Sequence, residues 1–383
     1  MSADTFTEVT KQSWFSRIGG AIKGILAGLL LIIASFPLLF WNEGRAVKRY
    51  KTLKEGEGLV VSVSADAVDQ NNSGKLVHLT GMAKTGEILA DPVFGVSRNA
   101  IKLRRTVEMY QWEEDSESQT KKKMGGGEET VTTYTYKKVW SDSPIDSSRF
   151  KQAAGHDNPK VMAYQTLELV AQNISLGAFM LSPSLVAKIS SYAAVIPEEG
   201  AMPADSSAIK RQPGGFYIGP DPAVPQIGDL RITFSAVDPL EISLVSGQQG
   251  ATFEPYQTKA GGAINLLQAG SHSAAEMFAT AQRNNKLLTW ALRAGGFLLM
   301  LIGFNLVFKL LSVLADVIPI FGTIVGAGTG IIAFMISLCL SSATIAVAWI
   351  FYRPLLGIIM LAVAVAMIFL IRKKMKLAAS AAA

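Results

Sequence analysis

The residues with the clearest potential for chemistry are a line of polar side chains inside an apolar stretch. Asn305, Lys309, Ser312 and Asp316 follow one another at intervals of four, three and four residues, which places them on one face of a helix. Charged groups at membrane depth usually face other protein segments and often mark ion or proton routes. This polar stripe could belong to a transporter or channel. Lys309 could instead extend to the membrane surface or bond to a neighbouring helix.

A second line, made of small residues, follows in the next apolar stretch. Small side chains allow helices to approach closely in lipid, where packing drives their association. The line therefore predicts a helix-packing stripe, either within one chain or between the copies of a homo-oligomer. Its members recur at spacings of three and four residues: Gly326, Gly330, Ala333, Ser337, Ser341 and Thr344.

Other residue types that carry chemistry are scattered. The three histidines, His78, His156 and His272, lie far apart, and Cys339 is the single cysteine. A metal site needs three or four converging ligands, and the sequence contains neither a nucleophile elbow nor a phosphate-binding loop. We therefore expect no catalytic residues, no metal and no cofactor. A membrane-bound hydrolase acting on envelope material stays as an alternative that rests only on the size of the middle section.

Charge is distributed unevenly along the 383 residues. The chain is 49% hydrophobic and 17% charged, against roughly 25% charged in an ordinary soluble domain. Since a helix needs about 20 apolar residues to span a bilayer, the sequence predicts four spans. They are 20–41, 294–314, 320–342 and 349–371, with Trp41, Trp290 and Arg353 as interfacial anchors.

Four spans place both termini on one side of the membrane. We expect 1–19 and the basic tail 372–383 to be cytoplasmic by the positive-inside bias and 42–293 to form an extracytoplasmic domain. The formal charge of +6 lies partly beside the spans, where it meets anionic headgroups. The expected partner is the lipid bilayer rather than nucleic acid.

The middle section reads as an α+β domain rich in antiparallel strands. Strands are expected over 57–65, 75–83, 99–112, 130–140, 229–237 and 240–246, helices over 160–193 and 270–293, and a mobile charged loop over 113–129. Period-two spacing aligns aromatic side chains on the third and fourth strands. These aromatics predict either plain core or a recognition surface: Tyr110, Trp112, Tyr134, Tyr136 and Trp140.

Several strings give the chain a family resemblance. Residues 40–47 (FWNEGRAV), 109–112 (MYQW), 134–136 (YTY) and 352–357 (YRPLLG) resemble the LUMA family, or transmembrane protein forty-three. The resemblance implies a four-span protein with a large lumenal or extracytoplasmic domain and no established catalytic residues. Animal members lie in the endoplasmic reticulum and inner nuclear membrane, self-associate, and are linked to nuclear-envelope organisation through lamins and emerin.

The middle section lacks cysteine, so the chain looks like a microbial member of that family. We accordingly expect a multi-pass protein of a bacterial inner membrane with its large domain in the periplasm; a eukaryotic member would lie in the endoplasmic reticulum and inner nuclear membrane. The predicted function is non-enzymatic: organisation or sensing of a membrane or envelope by self-association, with the domain binding a ligand or a membrane or envelope protein. A transporter or channel component and an envelope hydrolase are the alternatives.

Overall fold

The computed structural model describes residues 4–198 and 209–354. These residues form two compact units. The β-rich unit comprises the described residues up to Thr10 together with Glu55–Gln119 and Val131–Ala279. The helical unit comprises Lys11–Lys54, Thr120–Thr130 and the described residues from Thr280 onward.

Three of the helices are long and apolar. The α-helices of the described residues are α1 Trp14–Leu59, α2 Pro183–Val186, α3 Ala274–Ala315 and α4 Pro319–Tyr352. By length and composition α1, α3 and α4 can each cross a membrane, and within them only 17–22% of the most apolar window is buried. Their outer faces therefore carry exposed apolar side chains, as expected of helices in lipid.

The predicted spans fall on these helices with different bounds. The span 20–41 lies inside α1 and the span 294–314 inside α3. A turn was expected over 343–348, but α4 continues through these residues and ends before Arg353. Ser341 and Thr344 donate their hydroxyls to carbonyl oxygens of their own helix, so this polar patch does not interrupt it. Residues 355–371 of the fourth span and the tail 372–383 lie outside the described residues.

The strands form two main sheets and two hairpins, and nearly all their pairings are antiparallel. The larger sheet has the order β1-β7-β6-β14-β13-β12, with β11 also on β14 and β8 also on β6; the smaller has β10-β9-β3-β15-β16, with β19 on β15 and β2, in parallel, on β3. The strand bounds are β1 Asp4–Gln12, β2 Val61–Ser62, β3 Leu76–Lys84, β4 Ile88–Ala90, β5 Ser97–Asn99, β6 Lys102–Lys122, β7 Glu128–Ser141, β8 Leu167–Val170, β9 Ser175–Leu176, β10 Phe179–Met180, β11 Ala193–Val195, β12 Ile209–Gln212, β13 Gly215–Ile218, β14 Leu230–Val237, β15 Leu240–Gln249, β16 Thr252–Glu254, β17 Tyr256–Gln257, β18 Ala263–Ile264 and β19 Leu266–Ala269.

Two apolar clusters form the core of the β-rich unit. One gathers around Leu79, Phe179 and Leu244, the other around Phe94 and Phe216. In β14 the side chains alternate between buried and half-buried, the pattern of a strand with one face on the core. The strand-rich antiparallel character expected from the sequence is confirmed.

Three segments differ from expectation. The charged segment 113–129 is mostly strand, because β6 extends to Lys122 and β7 begins at Glu128. The helix expected over 160–193 is replaced by short strands and α2; Gly177 has φ +62°, and a methyl group there would lie 2.0 Å from the carbonyl oxygen of Ala65. The strand expected from 57 begins later because α1 continues to Leu59.

Candidate functional site

The helices α1 and α3 meet at two glycines. A methyl group built on Gly28 would lie 2.5 Å from the carbonyl oxygen of Gly303, and one on Gly303 would lie 2.7 Å from the carbonyl oxygen of Gly28. Both separations are well inside van der Waals contact, and both oxygens belong to the backbone. The absence of side chains at these positions therefore permits the close approach.

A buried carboxylate also lies between these helices, further along α1. Glu43 of α1 is fully buried and accepts two hydrogen bonds from Arg293 of α3, at 2.6 and 2.9 Å. The indole N–H of Trp349 of α4 donates to the same carboxylate at 2.8 Å. One carboxylate thus joins three helices through charge-assisted bonds.

Amide groups extend this centre along α1 and α3. Asn42 Nδ2 donates to the carbonyl oxygen of Thr289 at 3.0 Å. Arg45 donates to Asn285 Oδ1 at 3.1 Å and to Thr289 Oγ1 at 3.0 Å. The four side chains point into the helix contact, where unpaired polar groups would be costly.

A second buried carboxylate lies at the far end of α3. Asp316 is fully buried and accepts from Arg17 of α1 at 2.5 Å and from Lys122 at 2.7 Å. Arg17 also contacts Glu128 at 2.7 Å, so two cations meet two carboxylates. A methyl group on Gly322 would lie 1.5 Å from Asp316 Oδ1, so glycine there leaves room for the carboxylate.

Lys122 and Glu128 flank the tip of the β6–β7 hairpin, which is held by further contacts. The tip residue Gly126 has φ +78°, and a methyl group there would lie 2.4 Å from the ring of Trp14. Arg17 donates to the carbonyl oxygen of Gly126, and the indole of Trp14 donates to that of Val313 at 2.8 Å. The tip therefore packs against α1 and α3.

The contact between the hairpin tip and α1 affects the prediction of which side of the membrane each segment occupies. The hairpin tip was assigned to the extracytoplasmic domain, whereas Trp14 and Arg17 were assigned to the cytoplasmic segment 1–19. Segments that touch cannot lie on opposite sides of a bilayer. The cytoplasmic assignment of 1–19 and the extracytoplasmic assignment of the hairpin tip therefore cannot both be correct.

The residues of the predicted polar stripe have separate hydrogen-bond and ion-pair partners. Asn305 donates to the carbonyl oxygen of Leu301 in its own helix, and Ser312 donates to that of Gly322. Lys309 is exposed, and Asp316 belongs to the ion pairs described above. Asp316 follows the last residue of α3, and the four side chains form no common site.

The small-residue stripe of α4 lies partly against α3. A methyl group on Gly326 would lie 3.0 Å from Ser312 Oγ, and one on Gly330 would lie 3.8 Å from Asn305 Oδ1. Ala333, Ser337 and Ser341 are buried, while Thr344 is half-buried. Contact within the chain accounts for the first part of the stripe.

The predicted interfacial anchors lie on the helical unit. Trp41 is 57% exposed and Trp290 is 66% exposed, so both rings can meet the headgroup region. Arg353 is half-buried, with its guanidinium 5.9 Å from the centre of the Trp349 ring.

The predicted aromatic residues of β6 and β7 form two groups with a histidine between them. The rings of Tyr110 and Trp140 are 5.1 Å apart. Trp112 and Tyr136 both contact His156, at 4.8 and 3.9 Å. Tyr134 instead lies 6.1 Å from Phe6 of β1.

Tyr136 is the most deeply placed of these aromatics. It is 4% exposed, its hydroxyl donates to Glu114 at 2.7 Å, and it accepts from the backbone N–H of Gln152 at 2.9 Å. Burial, together with the hydrogen bond to Glu114, raises the pKa of Tyr136 to about 12. The phenol is therefore neutral at ordinary pH and serves as a structural donor.

The other histidines have separate partners. His78 Nε2 bonds to the carbonyl oxygen of His272 at 2.8 Å, and His156 Nε2 lies 3.0 Å from Asp4. Over residues 4–198 and 209–354, no three His, Cys, Asp or Glu side chains are grouped so that they could hold a metal ion.

The sequence did not point to most of the residues in the two centres. Asp316 was predicted as part of a stripe, but Glu43, Arg293, Arg17 and Lys122 were not. One signal could have found Glu43, because an acidic residue directly after an apolar span tends to turn toward protein rather than lipid.

Comparison with known proteins identifies the family. A family model described as Transmembrane protein 43 matches residues 109–354. Transmembrane protein 43 of Mus musculus is 36% identical over 91% of this chain and 89% of the mouse protein. The human protein is 35% identical over 95% and 93%, and the Drosophila melanogaster homolog is 31% identical over 87% and 89%. No solved structure matches the chain.

These similarities extend over nearly the whole chain and agree with the three long apolar helices, so the chain is an integral, multi-pass membrane protein. They also confirm the resemblance seen in the four sequence strings. The chain therefore belongs to the Transmembrane protein 43 family.

Proposed function

We propose that this protein organises or senses a membrane without catalysis, by self-association, while its β-rich unit binds a partner or ligand. One observation carries the proposal: the buried charges of the helical unit are used to hold its segments together. Glu43 joins α1, α3 and α4, and Asp316 joins α1, α3 and the hairpin tip. Such pairs favour one fixed arrangement over alternatives.

The hairpin gives the helical unit a continuous link to the β-rich unit. Strands β6 and β7 contribute residues to both units, and their shared tip is ion-paired to the helices through Lys122 and Glu128.

Self-association would use the outer faces of the helices, since the first part of the small-residue stripe faces α3. Exposed large apolar side chains line these faces, among them Leu26 and Leu30 on α1 and Ile324 and Ile331 on α4, which are 62–68% exposed. In lipid such faces are satisfied equally by acyl chains or by another copy, so packing decides between the two.

The test is the mass of the full chain extracted in native lipid discs, with identification of co-purifying proteins. A homogeneous multiple of 41.0 kDa or a defined second protein would support self-association or partner binding, respectively. A lone monomer would contradict the proposal. Paired variants locate the contact: Ile324→Trp with Ile331→Trp on α4 should reduce assembly if α4 forms it, and Leu26→Trp with Leu30→Trp on α1 is the matched control.

Transport is the second candidate. Its support is a line of polar side chains in a membrane-crossing helix, but Asn305 and Ser312 bond to helix carbonyls and Asp316 is paired with two cations. Ion flux through the reconstituted protein, abolished by Lys309→Leu, would favour it over the organising role. No arrangement among the described residues adds support to the hydrolase alternative.

A further inference from the structure

A cavity of about 820 Å³ lies among the three long helices. Its lining comes from residues 46–51 of α1, 282–293 of α3 and 349–354 at the end of α4. All three segments are close in sequence to Glu43, Arg293 or Trp349, so the cavity borders that centre. Its volume is within the range of small-molecule sites.

The charged side chains on the cavity wall are all positive. Among the described residues that line it, Lys51, Lys286, Arg293 and Arg353 are cationic and none is a carboxylate. Arg293 is balanced by Glu43. Within the described part of the chain, Lys51 and Lys286 have no ion-pair or hydrogen-bond partner, and Arg353 lies over the Trp349 ring. Three cations are thus left to attract an anion.

Aromatic side chains form a second part of the wall. Trp290, Trp349 and Tyr352 line the cavity, and Trp290 is largely exposed. Tryptophan and tyrosine concentrate at the depth of lipid headgroups. The apolar part of α3 begins directly after Arg293 and exposes Leu298 and Ile302. A ligand with a charged head here would have an apolar helix surface next to it.

We infer that this cavity binds the phosphate of an anionic membrane phospholipid. Lys51, Lys286 and Arg353 bind the phosphate and the charged head, and the aromatic wall covers the glycerol and the upper acyl chains. A free phosphate ester would satisfy the cations equally well but would leave the aromatic and apolar surfaces unused. The lipid is therefore the occupant that uses both the cations and the aromatic and apolar surfaces.

Native mass spectrometry of the full chain tests this site. Delipidated protein in detergent is titrated with phosphatidylglycerol or phosphatidylcholine carrying the same acyl chains, and the bound lipids are counted for each copy. We expect phosphatidylglycerol to bind more tightly. The triple variant Lys51→Gln, Lys286→Gln, Arg353→Gln should weaken its binding by about tenfold. Because binding is counted per copy, the result does not depend on self-association.

A matched control removes the same charge outside the cavity. Lys23, Lys48 and Arg283 are exposed residues of α1 and α3 that do not line it, so changing all three to Gln should leave the affinity within about twofold of wild type. Thermal unfolding of both triple variants shows whether they fold. Equal losses in the two variants would overturn the site, because general charge attraction would then explain the binding.

Competition separates the lipid from a soluble ligand. Inorganic phosphate and glycerol phosphate are added at millimolar concentration to the phosphatidylglycerol complex. Persistence of the complex supports the lipid site. Displacement of the lipid by either soluble anion would overturn it in favour of a site for a soluble phosphate ester, and equal affinity for the two phospholipids would overturn the preference for an anionic head.

Discussion

The two buried carboxylates of the helical unit are fully shielded from solvent but joined to different parts of the chain. Within the part of the chain that the structure describes, the partners of Glu43 are the helix residues Arg293 and Trp349. Asp316 meets one helix residue, Arg17, and one residue of a strand hairpin, Lys122. One centre holds helix to helix, whereas the other also holds a β-hairpin to helices.

The difference shows how the same physical device serves two purposes. A buried ion pair contributes little net stability compared with apolar packing, but breaking it leaves a charge that nothing compensates. At Glu43 the consequence falls on the packing of three helices. At Asp316 the unpaired charge partly affects the hairpin tip, which can detach from the helices and become solvated. Substitutions at the two centres should therefore have different effects.

The largest effect is expected for Glu43→Leu. The change leaves Arg293 half-buried without its counter-charge, and breaking a buried pair costs about 3–5 kcal/mol. Thermal or chemical unfolding of the full chain in lipid discs measures the loss. The double variant Glu43→Leu, Arg293→Leu should recover part of the stability, because no charge is then left unpaired. Equal destabilisation of both variants would mean that the shape of Glu43 matters rather than its charge.

A smaller and more local effect is expected for Asp316→Asn. Arg17 keeps its ion pair with Glu128, while Lys122 loses its partner Asp316. Because the Lys122 side chain is 29% exposed, water can solvate part of its charge. We expect a loss of about 1–3 kcal/mol and faster tryptic cleavage at Lys122 and Lys123.

Two variants provide controls for this second experiment. Asp142 is an exposed aspartate in the β-rich unit, and Asp142→Asn should leave cleavage of the tip unchanged. Glu43→Leu should also leave tip cleavage near the wild-type rate at temperatures where that variant is folded. A tip that opens equally in Glu43→Leu and Asp316→Asn would remove the distinction between the two centres.

Features that depend on a local pattern of apolar and polar residues could be predicted from sequence. The apolar stretches within α1, α3 and α4 follow from composition, and alternating burial in β14 follows from its alternating residues. In the segment 160–193, Leu176, Phe179 and Ile189 lie in a core cluster. The strand structure around Leu176 could not be predicted locally, because β9 is held by pairing with the distant strand β3.

The two charged centres had almost no local signal. Lys122 is 194 residues from Asp316 and lies in a charged segment that resembles a solvated loop. Polar pairs such as Lys137 with Asp115 hold that segment as a ribbon without apolar alternation, and such a ribbon lacks the usual pattern of a strand. Contacts of this kind depend on tertiary structure and are missing from any window of the sequence.

The close approach of α1 and α3 at Gly28 and Gly303 should also contribute to stability. Gly28→Ala places a methyl group 2.5 Å from the carbonyl oxygen of Gly303, and overpacking of this kind costs about 1–3 kcal/mol. In the same helix, Gly20 has no atom within 4 Å of such a methyl group. Gly20→Ala should be neutral or stabilising, because alanine favours helix. Similar unfolding temperatures for the two variants would contradict the close approach.

The smallest effect at neutral pH, and one confined to the β-rich unit, concerns Tyr136. Its pKa of about 12 exceeds the unfolded value of about 10, so folding favours the neutral phenol. This contribution is complete below about pH 10 and is lost as the pH rises toward 12. Tyrosinate absorbance and the free energy of unfolding should show wild type losing more stability over this interval than Tyr136→Phe, which cannot ionise. Equal slopes for the two proteins would mean that Tyr136 is not held by burial and Glu114. Unequal slopes with unchanged cleavage at Lys122 would show that the β-rich unit can weaken while the Asp316 centre still holds the hairpin tip.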